Sequence, residues 1–268
     1  MSERYAYPAA VPCWVETFQP DVDAALDFYS GLFGWEPVGP GPLDGPGGSG
    51  RYYVARLRGM DVAGIGSLPS PDMPAAWQMS IAVANVEAAV EAVVRAGGSV
   101  LVPVIDAAPA GRSAVVADPF GAVHGLWQGA TRAGAQLVNE PGAWSISRLT
   151  APDPELAADF YGSAYGWTTE VLGHGDGAVT VFRLPGYVGG VPEQPVSREV
   201  VATMVRGHGH PQWTPNFWAG DAALALQLNL EHGGRTVVPP FPAPAGTTVV
   251  LADPQGALFS VMGVGRRG

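Results

Sequence analysis

Two oppositely charged side chains occupy matching places in an internally repeated sequence, and they are the first candidates for chemistry. Glu16 lies in the apolar run Cys13 to Phe18, four residues before Pro20, and Arg148 lies four residues before Pro152. Alternate residues of a strand share a face. Trp14, Glu16 and Phe18 therefore point one way, and so do their counterparts Ile146, Arg148 and Thr150. A carboxylate on a concave, largely apolar surface is desolvated, which raises its pKa and suits it to accept a proton. An arginine on such a surface can orient a polar ligand. Either residue could equally be a solvated or paired structural charge. We take Glu16 as the candidate base and Arg148 as the candidate orienting cation.

The repeat that makes these positions equivalent spans most of the chain. Pro20-Asp21-Val22-Asp23-Ala24-Ala25-Leu26-Asp27-Phe28-Tyr29 returns as Pro152-Asp153-Pro154-Glu155-Leu156-Ala157-Ala158-Asp159-Phe160-Tyr161, and Gly34-Trp35 returns as Gly166-Trp167. Gly97-Gly98 matches Gly233-Gly234, and Ala117-Asp118-Pro119-Phe120-Gly121-Ala122 matches Ala252-Asp253-Pro254-Gln255-Gly256-Ala257. The offset drifts slightly, as small insertions in loops would make it. A repeat of this length means two copies of one fold.

Within the first copy, Cys13 to Phe18 reads as a strand, and Pro-Asp followed by an apolar-periodic run reads as a capped helix. Arg51 to Arg58 and Val62 to Leu68 form a hairpin around Gly59-Met60-Asp61. The order then restarts. Trp77 to Val83 is a strand, Val86 to Ala96 a helix ended by Gly97-Gly98, and Ser99 to Ile105, Ser113 to Ala117 and Val123 to Gln128 are strands. Gly39 to Gly50 and Gly129 to Gly142 read as loops, the latter as the boundary between the halves. The fold class expected is α+β, with tandem βαβββ modules, two per half, in domains over residues 8–130 and 140–265. Helices this short must cover one face of a sheet, leaving the other face free to curve around a ligand.

Composition narrows the chemistry. All 14 basic residues are arginine, against 24 acidic residues, for a net charge of −10. Without lysine there is no Schiff-base chemistry and no phosphate-loop lysine. The acidity argues against nucleic acid and anionic membrane surfaces as partners. One cysteine, Cys13, permits neither an internal disulfide nor a thiolate cluster and reads as a buried, inert thiol. No run of apolar residues suits a membrane span, and the N-terminus lacks a signal-peptide pattern, so a cytoplasmic protein is expected. Gly45-Pro46-Gly47-Gly48-Ser49-Gly50 has the spacing of a dinucleotide fingerprint but precedes a strand, with no helix N-terminus to receive a pyrophosphate.

Trp14-Val15-Glu16, Pro20-Asp21, Phe28-Tyr29 and Phe33-Gly34-Trp35 resemble the first βα unit of the glyoxalase, bleomycin-resistance and extradiol-dioxygenase group, the vicinal-oxygen-chelate superfamily. Asp118-Pro119-Phe120-Gly121 and Asp253-Pro254-Gln255-Gly256 resemble its final β-turn. Asn139-Glu140-Pro141-Gly142-Ala143-Trp144 is similar to a subgroup of two-domain actinobacterial members labelled hydroxylases or glyoxalase-like proteins. The resemblance implies two curved-sheet domains and, in members that do chemistry, a divalent ion on the concave face. The positions it assigns to ligands fall here on Trp14, Gln78 and Gly125, and in the second half on Ile146, Thr214 and Ser260. Only Gln78 could coordinate, so no metal and no other cofactor is expected.

On the same resemblance, Trp127 and Met262 should face the concave side, joined by Trp77 and Trp213 near the second leading strands. Together with Trp14, Phe18 and Gln78 they are read as lining a pocket for a flat apolar ligand, although core packing is the commoner use of any single tryptophan. His124 lies out of phase with that face and reads as a packed core histidine. His208 and His210 form a His-x-His pair in a glycine-rich loop. His232 ends a helix, and His174 has no visible partner. The function expected is binding of a hydrophobic, aromatic small molecule by a metal-independent tailoring enzyme of secondary metabolism. The alternatives are a drug-sequestering resistance protein and a metal-dependent glyoxalase or dioxygenase with an atypical site. Either a monomer or a homodimer fits, since two fused copies can replace a dimer of single ones.

Overall fold

The computed structural model describes residues 3–45, 48–190, 197–243 and 246–263. The first half runs β1 (Pro12–Gln19), α1 (Val22–Phe33), β2 (Glu36–Gly45), β3 (Gly48–Leu57), β4 (Met60–Ser67), β5 (Ala76–Ala82), α2 (Val86–Arg95), β6 (Ser99–Ala107), β7 (Gly111–Ala117) and β8 (Val123–Gly129). The second runs β9 (Trp144–Ala151), α3 (Pro154–Tyr165), β10 (Thr168–Leu172), β11 (Val179–Arg183), β12 (Val200–Arg206), β13 (Gln212–Trp218), α4 (Ala222–Glu231), β14 (Arg235–Ala243), β15 (Gly246–Ala252) and β16 (Leu258–Gly263). Each half builds one eight-stranded sheet. Their orders, β2-β3-β4-β1-β5-β8-β7-β6 and β10-β11-β12-β9-β13-β16-β15-β14, are the same topology written twice. In each, two βαβββ modules meet through an antiparallel central pair, β1 with β5 and β9 with β13. The α+β tandem-module fold is the one the repeat implies.

The repeated motifs are start and stop signals. Asp21 caps α1 by accepting from the backbone N–H of Ala24 at 3.0 Å, and Asp153 caps α3 by accepting from Glu155 and Leu156. Gly34 and Gly166 end these helices at φ 71° and 72°, a left-handed conformation that glycine adopts without strain. The segment read as a loop, Gly39 to Gly50, is instead largely strand: β2 and β3 pair along it, with Pro46 and Gly47 outside the described residues. β2 is an edge strand, where a proline's missing N–H interrupts no ladder, so its Gly and Pro content is tolerated. The expected end of the second domain, residue 265, also lies outside the described residues.

The two sheets turn their helix-bearing faces toward each other and share one apolar core. Val15, Thr17 and Gln19 of β1, and Ser147, Leu149 and Ala151 of β9, are fully buried on that inner side. Rings interleave across it. Phe33 of α1 lies 4.9 Å from Phe217 of β13, Trp77 of β5 lies 5.1 Å from Phe217, and His124 of β8 lies 5.8 Å from Tyr161 of α3.

The Asp-Pro-x-Gly turns lock this interface reciprocally. Asp253 accepts from the backbone N–H groups of Gln255 and Ala257 with Oδ1, and from the Tyr29 hydroxyl at 2.8 Å and Gln19 Nε2 at 2.7 Å with Oδ2. Asp118 likewise accepts from Phe120 and Ala122 with Oδ1, and from the Tyr161 hydroxyl at 3.2 Å with Oδ2. Each tyrosine in turn accepts from a tryptophan of its own half, Tyr29 from Trp77 Nε1 at 2.9 Å and Tyr161 from Trp213 Nε1 at 3.0 Å.

Replacing Tyr29 by Phe strands the buried Trp77 N–H and removes one donor from Asp253. We expect a loss of roughly 2 to 4 kcal/mol, from the cost of unsatisfied buried polar groups, read by chemical denaturation. The copies also differ in one pair: His124 Nε2 meets the Tyr165 hydroxyl at 2.6 Å, where the other copy has Phe259 and Phe33. Burial pushes the His124 pKa down to about 4. Its ordinary value is about 6.5, so the unfolded chain takes up the proton first. Stability should therefore fall by about 3 kcal/mol as pH drops from 6.5 to 4. The double variant His124→Phe, Tyr165→Phe, which copies the other half, should flatten that dependence in denaturation curves at several pH values.

Candidate functional site

The outer, concave face of the first half carries the candidate site. Strand register places Glu16 beside Gly64 on one side and Gln78 on the other, and Trp14 beside Ser80, which in turn pairs with Gly125. The Tyr52 ring of β3 fills the space over Gly64 and Gly66, where a Cβ would collide with it. Two glycines on β4 thus create room for one tyrosine over the sheet.

Tyr52 is the centre of the resulting chain of hydrogen bonds. Its hydroxyl donates to Glu16 Oε2 at 2.7 Å and accepts from Trp14 Nε1 at 2.9 Å. Gln78 Nε2 approaches the other carboxylate oxygen, Oε1, at 3.4 Å. The Arg132 guanidinium lies over the Trp14 ring, 5.6 Å from its centroid, and pairs with Asp61 at 3.5 Å. Burial raises the Glu16 pKa, and the bonds from Tyr52 and the nearby Arg132 charge pull it back only partly. Chemically this is a half-buried carboxyl group held in one orientation, one oxygen secured and the other only weakly engaged. It is suited to exchange a proton with a bound molecule.

Trp127 pairs with Ala82 on the same outer face, and its indole donates to the Arg132 carbonyl at 2.9 Å. Phe18 lies beside Gly66 there as well. Trp14, Glu16, Phe18, Gln78 and Trp127 thus share one face. Trp77 and Trp213 do not. Trp77 pairs with Thr17 and Trp213 with Leu149, one residue out of phase, so alternation buries both in the inner core on Tyr29 and Tyr161. Their expected place on a ligand-lined surface is corrected accordingly. Met262 is on the outer side of the second half, paired with Trp218 and Thr248, but is fully buried there and offers a ligand little surface.

Arg148 does not join Glu16. It projects from the outer face of the second sheet, between Thr203 and Thr214, while every partner of Glu16 belongs to the first half or to the segment that follows it. Back-to-back packing sends the two concave faces in opposite directions, so a repeat-equivalent pair cannot converge. Sequence reasoning missed Tyr52 and Arg132. Alternation in β3 opposite the two β4 glycines signals the first; Arg132 reaches Trp14 only through the folded linker, whose neighbouring Ala135 N–H donates to the Cys13 carbonyl at 2.8 Å. Cys13 itself is fully buried and its thiol pKa is raised by burial. A separate cleft of about 580 Å³ between residues 3–8 and Leu184–Gly190 contains none of the predicted residues.

The profile of the Glyoxalase/Bleomycin resistance protein/Dioxygenase superfamily matches residues 14–126. Over 98% of its length the chain is 37% identical to the protein named "Putative glyoxylase CFP32" of Mycobacterium tuberculosis, and covers 98% of that protein. It is 29% identical to the anthracycline biosynthesis protein DauV of Streptomyces sp. strain C5, across 96% of this chain and 94% of that one. The fold is shared with the Mn(II)-bound glyoxalase of Novosphingobium aromaticivorans at a TM-score of 0.64 and 17% identity, covering 94% of this chain and 81% of that one. The 2,3-dioxygenase LapB of Pseudomonas sp. KL28 matches at a TM-score of 0.64 and 13% identity, over 96% and 93% of the two chains. The chain belongs to the glyoxalase, bleomycin-resistance and dioxygenase superfamily.

The residues at the superfamily's metal positions do not fit a divalent ion. Of the positions expected to bear ligands, Trp14 and Gly125 share a row of the first sheet with Ser80, not with Gln78, which stands one step along beside Glu16; in the second sheet Ile146 and Ser260 share a row with Asn216, not with Thr214, which stands beside Arg148. Neither row offers a carboxylate or an imidazole, the donors that such ions need. A side chain at Gly125 would collide with Ser80 Oγ and crowd Gln78 Nε2, which already fill the place of a ligand. Among the described residues no group of three or more His, Cys, Asp or Glu stands together. None of the described helices is long and apolar enough to cross a membrane.

The Tyr52 bond favours the charged form of Glu16, so Tyr52→Phe should raise the Glu16 pKa further. Carboxyl carbon chemical shifts followed by NMR through a pH titration would show it; a midpoint that stays put or falls would contradict the arrangement.

Proposed function

We propose that this protein binds a flat, largely apolar small molecule on the concave face of its first half and transforms it without a metal ion, with Glu16 as the proton-exchanging group. The observation that carries this reading is the half-buried Glu16 carboxyl, held by Tyr52 and Gln78 and framed by Trp14, Phe18 and Trp127 where metal-bearing relatives place their ion. Burial brings its pKa closer to neutrality, which suits a general base or acid. Trp14 and Tyr52 orient the carboxyl, and Arg132 stabilises it when charged. The aromatic side chains supply faces for stacking, and excluding water around the carboxyl strengthens its interaction with a bound molecule. The likeness to anthracycline biosynthesis proteins supports a polycyclic aromatic ligand and a tailoring step in secondary metabolism.

A protein that sequesters a drug would use the same face without turnover, and a metal enzyme would need an ion the donor set does not suit. The test combines elemental analysis with an anthracycline aglycone as probe, followed by tryptophan quenching and by product formation. We expect sub-stoichiometric metal, binding by the intact protein, and affinity kept in Glu16→Gln. Turnover should drop by about 10²-fold or more in that variant, the contribution general acid–base groups make. Trp127→Ala should weaken binding by roughly fivefold, from the loss of about 1 kcal/mol of stacking. Stoichiometric metal, or unchanged turnover in Glu16→Gln, would sink the reading; binding with no turnover at all would identify sequestration.

A further inference from the structure

The second concave face differs from the first in its charge. Arg148 is the one partly buried arginine among the described residues that has no hydrogen-bond or ion-pair partner. The others are engaged: Arg56 and Arg132 with Asp61, Arg112 with Glu87, Arg183 with Glu170 and Glu199, Arg198 with the Gly189 carbonyl and Arg4 with Tyr187. Arg148 Nε is buried with nothing to donate to, and burial alone lowers the pKa of the guanidinium, with no carboxylate acting on it. Leaving such a charge unpaired in a desolvated place is destabilising. The chain has 24 acidic residues, and none of the described ones is paired with Arg148.

The neighbours of Arg148 are polar but uncharged. Thr203 and Thr214 flank it on the adjoining strands, and Asn216, one step along the same face, has a buried side-chain oxygen without a partner. Ile146 and Val181, both buried, supply apolar wall beside them. A planar guanidinium presents two parallel N–H groups that match a carboxylate. The next cation on this face among the described residues, Arg183 of β11, is already paired with Glu170 and Glu199, so a monoanion balances the charge of Arg148 and a phosphate dianion does not.

We infer that the concave face of the second half is a separate binding site for the carboxylate of a small organic acid with an apolar body, anchored by Arg148. The inference stands independently of the reading of Glu16. It also gives the two halves a division of labour: one face carries an acidic group and the other a basic one, at the same position of the repeat.

Benzoate titrated into the full-length protein by calorimetry tests it, with phenylphosphonate as the competing anion. We expect saturable benzoate binding that exceeds phenylphosphonate binding, is unchanged in Glu16→Gln, and falls by about tenfold or more in Arg148→Met, the range for losing a charged hydrogen bond. Removing an unpartnered charge should also raise the melting temperature of ligand-free Arg148→Met. Arg148→Lys, which keeps the charge but loses the fork, should bind with intermediate affinity and serves if Arg148→Met does not fold. Absent binding, binding indifferent to Arg148, tighter phosphonate binding, loss in Glu16→Gln, or a lower melting temperature in Arg148→Met would each overturn the inference.

Discussion

Asp118 and Asp253 each close a β-turn with one carboxylate oxygen and hold a tyrosine of the opposite half with the other. The rest of the structure depends on that reciprocal contact. Each tyrosine sits in a helix whose start and stop are set by the Asp cap and the terminal Gly, and each supports the indole of a tryptophan on the central strand pair. In a buried polar network of this kind each bond lost leaves a desolvated group without its partner. Correct docking of the halves is therefore tied to correct formation of both turns and both helices. The same motif serves local folding and the union of the two copies.

This mode of union determines where ligands can go. Because the inner faces are consumed by one shared core, the two outer faces are left as separate concave surfaces pointing apart. A pair of residues that are equivalent in the repeat is thereby kept far from convergence, and each face can diverge independently. The first has gathered Glu16, Tyr52, Trp14 and Gln78 into a hydrogen-bonded set, with the Arg132 guanidinium over the Trp14 ring. The second has gathered hydroxyl and amide side chains around an arginine that has no partner of its own. Neither matching row, Trp14-Ser80-Gly125 or Ile146-Asn216-Ser260, offers a carboxylate or an imidazole, and in the first half the space over Gly64, Gly66 and Gly125 is taken by Tyr52, Ser80 and Gln78.

The sharing of one face by most of the candidate residues was legible in advance because strand alternation is a strict period of two. Trp14, Glu16 and Phe18 follow it, as do Gln78 and Trp127, since each lies on a strand whose partner register is pinned by a buried inner face. The same period misplaced Trp77 and Trp213 by one residue: both lie next to the position that faces outward, and only pairing with Thr17 and Leu149 settles their side. The edge strand β2 was hidden by its glycines and prolines, whose turn preference is overridden where no neighbour needs the missing N–H.

The sequence by itself determined the two-copy α+β architecture and the helix caps and stops, because these rest on local residue types at short, regular spacing. Tertiary structure alone decided that the helix-bearing faces pack together and that Glu16 and Arg148 serve different surfaces. It alone also decided that Tyr52 and Arg132 stand with Glu16 and Trp14 on the first face, and that Arg148 has no partner among the described residues. Those facts arise from contacts between residues tens to hundreds of positions apart, whose geometry is set by how two twisted sheets share one core and not by any local pattern along the chain.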